Sequence, residues 1–143
     1  MDSALSRLKN LTNKISSYEL ARKNNIEILK TLFLELGINE KVTLFEELFL
    51  FKAINLSGVS LNSENIGAIQ KGKYLQILAI SYDKDAVVKA TNISLGYYGN
   101  VEKADETLKN KVVEFVLRYR FEKSFITLEH YNDMLEQIKS KDV

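Results

Sequence analysis

The 143-residue chain contains no proline. Average usage of about 5% would place roughly seven in a chain of this length. Proline breaks a helix by removing an N–H donor and clashing with the preceding turn. A chain without it can run long helices uninterrupted and must turn on glycine and small polar residues. Helical periodicity is therefore the first signal to weigh.

Leu5, Leu8, Leu11 and Ile15 recur at three- and four-residue steps, the spacing of one helix face. The polar run Arg22-Lys23-Asn24-Asn25 interrupts this stripe. It resumes with Ile28, Leu29, Leu32, Phe33 and Leu36 before Gly37, a natural residue just past a helix end. The pattern predicts one helix over 3–36, or two that part near Ser16-Ser17. Thr43, with Glu46 three residues on, has the form of a capping box. The segment it opens, TLFEELFLFKAIN, is apolar on nearly every side and is expected to be a buried central helix or part of a subunit interface.

NLSGVSLN (55–62) is the clearest loop. Ser63 and Glu64 then suit the start of a helix through Ile66 and Ile69 towards Tyr82. YLQILAISY and AVVKATNI, on either side of Asp83-Lys84-Asp85, offer a hairpin instead, because Val87, Val88 and Thr91 favour strands. Helix is the preferred reading of this region. SLGYYGN (94–100) reads as a turn. Asn100 or Asp105 then caps a helix to about Lys123, burying Leu108, Val112, Phe115, Val116 and Tyr119. Glu114 with Arg118 and Arg118 with Glu122 form four-residue pairs on its wet face. Thr127 caps a last helix through about Ser140. No repeat or linker divides the chain. The expected fold is a single all-α domain over 1–143, a compact bundle of five to six helices, with 1–18 as a dimerisation or docking helix. An α+β fold with a β-hairpin at about 75–93 is the alternative.

The stretch SGVSLNSENIGAIQKGKY (57–74) raises the question of DNA. Gly58, Val59 and Ser60 resemble the tight turn of a helix-turn-helix, with Ile66 and Ile69 holding a second helix. Asn65, Lys71 and Lys73 would then face the bases. The interval from Ser60 to Ile66 is longer than that motif allows, and Phe49 and Phe51 stand where it wants small or polar residues. KATNISLGYY (89–98) is a second imperfect match, weakened by Gly96 and by the following Gly99. Lys109, Lys111, Arg118, Arg120 and Lys123 are interleaved with acids, as on a solvated, salt-bridged face. The net charge of +1 supplies no overall field for a polyanion or an anionic membrane.

Catalytic chemistry finds little support. The chain has no cysteine, which excludes disulfides, thiolate ligands and thiol nucleophiles. His130, the single histidine, cannot build a typical zinc site without cysteine. Glu129 and Asp133 lie near it in sequence, but Ser124 carries no nucleophile-elbow motif. Glu46 and Glu47 point to different helix faces, and no glycine-rich phosphate loop is present. No catalytic residue, metal ligand or cofactor is expected. No apolar run approaches ~18 residues and MDSALSRLKN lacks an apolar core, so neither a membrane span nor a signal peptide is expected, and a cytoplasmic location is the default. Abundant lysine, asparagine and isoleucine beside scarce arginine fit an A/T-rich genome, such as that of a low-G+C bacterium or its phages and mobile elements.

The reading that remains is a non-enzymatic protein-binding module: an adaptor, inhibitor or immunity-type partner that also self-associates. Its expected interface comprises Leu5, Leu8, Leu11 and Ile15 on the first helix, with Tyr97 and Tyr98, since tyrosine is enriched at interfaces. A small helix-turn-helix regulator using 43–74 is the alternative.

Overall fold

A computed structural model describes residues 3–82 and 90–141. Among them the chain forms helix α1 (Ala4–Glu35), two short 3-10 helices (Ile38–Glu40 and Phe45–Leu50), strands β1 (Ala53–Ser57), β2 (Tyr74–Tyr82) and β3 (Ala90–Asn100), and helix α2 (Glu106–Lys141). The strands make one antiparallel sheet in the order β1-β2-β3. The fold is α+β and not the expected all-α bundle.

The correction has identifiable causes. In β2, Leu75, Ile77 and Ala79 are buried while Gln76, Leu78 and Ile80 are half-buried. That is a period of two, the mark of a strand with one face inward. β3 pairs with it from Tyr74↔Asn100 to Tyr82↔Ala90, with two register shifts. The hairpin, not the preferred helix, is what forms, and β3 also absorbs the expected turn at 94–100; the joining segment 83–89 lies outside the described residues. Likewise 43–55 is not an α-helix. Thr43 caps nothing, Leu44 standing at the cap position of a single 3-10 stretch. Phe51 then adopts an extended conformation, and the Lys52 N–H donates to the Ile80 carbonyl at 2.8 Å, starting the β1–β2 ladder. The phenylalanines in this segment serve an aromatic chain: Phe33–Phe45, Phe45–Phe49 and Phe49–Tyr119 have ring centroids 5.6, 5.7 and 5.4 Å apart.

Both long helices are continuous. Ser3 caps α1 through its Oγ, which accepts from the Ser6 N–H at 3.1 Å, and Gly37 takes the left-handed φ of 73° expected just past the helix end. Asp105 caps α2 by accepting from the Leu108 N–H at 2.7 Å. Thr127 does not start a new helix; its hydroxyl donates back to the Lys123 carbonyl at 2.8 Å, inside α2.

α1 and α2 run antiparallel, with Glu35 near Lys111 and Tyr18 near Phe125. The core lies between their inner parts and one face of the sheet. Leu29, Leu32, Phe33 and Leu36 of α1 meet Val112, Phe115, Val116 and Tyr119 of α2 over Ile54, Leu75, Ile77 and Leu95. No helix among the described residues is long and apolar enough to cross a membrane.

Candidate interaction surface

The polar run that interrupts the α1 stripe turns out to join the helices. Arg22 and Asn25 continue the same three- and four-residue spacing as Leu8, Leu11, Ile15 and Tyr18 before them and Leu29, Leu32 and Leu36 after them. They face α2. Arg22 donates through Nε to both carboxylate oxygens of Glu122, at 2.8 and 3.1 Å, and through a second nitrogen to Glu129. Its guanidinium also lies 5.2 Å from the centroid of the Phe125 ring. These hydrogen bonds, Glu122's first and Glu129's second, raise the Arg22 pKa above its ordinary value. Asn25, 3% exposed, donates to the Arg118 carbonyl at 2.9 Å and accepts from its guanidinium at 3.0 Å, while Arg118 also pairs with Glu114 at 2.8 Å.

Glu122 is therefore not on the wet face. It is 2% exposed and belongs to a polar layer across the helix pair. Such a layer fixes the register of two helices, because a slip by one turn would bury its charges unpaired.

The layer also divides each helix into two parts. Inward of it the seam is buried. Outward of it, every described side chain from Ser3 to Ala21 is exposed except half-buried Ser6, and from Thr127 to Lys141 every one is exposed except half-buried Met134. Leu5, Leu8 and Leu11 keep 70, 59 and 56% of their surface. The side chain of Ile15 lies outside the described ones. On α2, Leu128, Tyr131, Leu135 and Ile138 follow one another at steps of three, four and three, and are 58–64% exposed. This second stripe was not among the expected interface residues, although its spacing is as regular as that of the first. The stripe begins in a groove of about 570 Å³ between α2 and β1, where Leu128 and Tyr131 face Ala53 and Ile54. The outer halves of the two helices do not seal one another, as their exposure shows.

The two tyrosines part company. Tyr97 is 59% exposed and its ring lies tilted against that of Tyr74, with centroids 5.7 Å apart. Tyr98 turns inward and donates its hydroxyl to the Leu36 carbonyl at 2.9 Å; burial pushes its pKa up to about 12. Gly96 makes room for that ring, since a Cβ there would collide with it. Tyr97 thus stands apart from the helix stripes, on the sheet.

The helix-turn-helix stretch contains no helix. Residues 58–73 form a folded loop between β1 and β2, closed by the bridge Val59↔Ile69 and by Ser60 donating its hydroxyl to Asn65 at 2.7 Å. Gly58 takes a φ of 96° with its α-carbon against β2, where a Cβ would come within 2.7 Å of the Tyr74 carbonyl oxygen. Asn65, Lys71 and Lys73 are exposed on this loop, not on a helix that could enter a groove of DNA. The second match, 89–98, falls on β3 apart from Lys89, which lies outside the described residues.

The basic residues of α2 from Lys109 to Lys123 are engaged within the chain. Lys109 pairs with Glu106 and Lys111 with Glu35. Arg120 donates to the Ile54 carbonyl and Asn55, and Lys123 donates to the Phe49 carbonyl at 2.7 Å. Ser124 donates its hydroxyl to the Phe121 carbonyl, and His130 is exposed beside Tyr131. Among the described residues no three histidine or acidic side chains gather as metal ligands, and no buried side-chain polar atom lacks a partner. A second groove of about 560 Å³, where Ile66 approaches Val113 and Leu117, is lined on its polar side by Asn25, Glu114 and Arg118, which already satisfy one another. No family model matches the chain, and comparisons with curated proteins and with solved structures return no match.

Proposed function

We propose that the chain is a non-enzymatic protein-binding module whose docking surface is the outer half of its helix pair. One observation carries the reading: seven large apolar side chains, Leu5, Leu8, Leu11, Leu128, Tyr131, Leu135 and Ile138, stand 56–70% exposed in regular stripes beyond the polar layer. Scattered exposed leucines are ordinary, whereas contiguous apolar stripes on a monomer mark an interaction site. Full burial of such a side chain is favourable by roughly 1.5–3 kcal/mol, and that gain is forgone while the stripes face water. The polar layer supports the reading, because it holds the helices in register without help from the outer seam.

The test is co-purification from the native host, with and without nuclease, of the wild type and of a Leu11→Glu/Leu135→Glu variant. A stoichiometric protein partner that survives nuclease and is lost with the variant is the expected result. A partner retained equally by the variant, or binding that nuclease abolishes, would contradict it.

A further inference from the structure

Resting on that reading, we infer that the occupant of the stripes is a second copy of this chain, the two outer helix pairs overlapping as a four-helix bundle. Area supports it. Seven such side chains at 56–70% exposure offer on the order of 100 Å² each, so roughly 700 Å² per protomer. A standard-size interface takes about 800 Å² from each partner. Both stripes are needed to reach that figure, and a two-fold axis brings both from each copy.

Charge supports it as well. The outer part of α1 (Ser3–Ala21) carries the three cations Arg7, Lys9 and Lys14 against the single anion Glu19. The outer part of α2 carries the anions Glu129, Asp133 and Glu136, of which Arg22 holds Glu129 and Lys139 lies 3.7 Å from Glu136; its two cations, Lys139 and Lys141, are confined to the end. An overlap of opposed helix pairs sets α1 of one copy beside α2 of the other. Helices rise about 1.5 Å per residue. If each tip reaches the other copy's polar layer, Lys14 falls near Asp133 of the second copy, and the basic stretch lies along the acidic one. The apolar spacing of three and four residues on both helices is that of bundle and coiled-coil seams.

Light scattering at ~100 µM, well above the constant of a micromolar dimer, reads the result. The expected mass is twice 16.4 kDa for the wild type and one chain for Leu11→Glu/Leu135→Glu with its circular dichroism spectrum intact. Because the chain has no cysteine, Leu11→Cys/Leu128→Cys should give a disulfide-linked dimer on oxidation, since this overlap brings Leu11 near Leu128 of the second copy, and Lys71→Cys, on the β1–β2 loop, should give none. Lys14→Glu should weaken association roughly fivefold, and adding Asp133→Lys should restore it. A monomer at that concentration, or a dimer unaffected by all these changes, overturns the inference. A monomeric chain whose host partner is lost with Leu11→Glu/Leu135→Glu would refute the second copy while leaving the binding-module reading in place; a host partner kept by that variant would refute the reading itself.

Discussion

At the scale of single residues, the Arg22–Glu122 pair decides most. Removing one member of a buried pair leaves an uncompensated charge, which typically costs about 3–5 kcal/mol. Arg22 keeps 29% of its side-chain surface against 2% for Glu122, so water can soften the effect, and Arg22→Leu should cost near the lower end. Glu122→Leu added to it should recover most of that loss, since two apolar groups are nearly neutral in such a site. Urea melts of the four-member cycle would measure the coupling, and strictly additive effects would contradict the pairing. The two inward tyrosines give a separate signature. Burial raises the phenols of Tyr98 and Tyr119 from 10 to about 12. The folded chain holds these protons where the unfolded chain releases them. Their stabilising contribution is thus fully present below pH 10 and is lost as the pH rises from there through about 12. Tyr98→Phe should lower stability at neutral pH by about 1 kcal/mol through the lost hydrogen bond to Leu36, yet flatten the alkaline decline. An equally steep decline in the variant would show that Tyr98 does not titrate in this way.

At the scale of elements, the two helices combine two regimes of stability. Their inner halves share the core, while their outer halves, beyond the Tyr18–Phe125 and Arg22–Glu129 contacts, are held by helix hydrogen bonds and neighbouring turns. Hydrogen exchange at ~1 µM should therefore be slowest over 25–36 and 112–122 and fast over 4–17 and 128–141. Uniform protection along α1 at that dilution would contradict the division. Much of α1 was legible in the sequence, including its stripe and its end at Gly37, because a long period-3.6 pattern has few rivals; that it runs unbroken past Ser16-Ser17 was one of two readings. The polar run was legible only as a break. Arg22 and Glu122 are 100 positions apart, and nothing local marks them as partners. The sheet was misread for a different reason. YLQILAISY fits both periods over nine residues, and only its pairing with β1 and β3 decides for strand. The 43–55 segment shows tertiary context overriding propensity. Leu48 and its neighbouring phenylalanines pack into the core beside α1 and α2, and β2 recruits Ala53–Ser57 as a paired strand. At the candidate surface, the first stripe was legible from its spacing. The second was hidden by the expectation of a new helix at Thr127, whose hydroxyl instead bonds back into α2.

At the scale of the whole molecule, the central claim is that the core folds without the outer stripes, and that the stripes serve binding. Association that favours the folded state raises apparent stability with concentration, whereas a monomeric fold is indifferent to it. Urea unfolding of the wild type and of Leu11→Glu/Leu135→Glu, each at ~1 and ~100 µM, separates the two directly. The expected result is a wild-type midpoint that rises with concentration, and a variant midpoint that does not move and matches the wild type at the lower concentration. A variant far less stable than the wild type at both concentrations would contradict the claim, because the stripes would then belong to the core of a single chain.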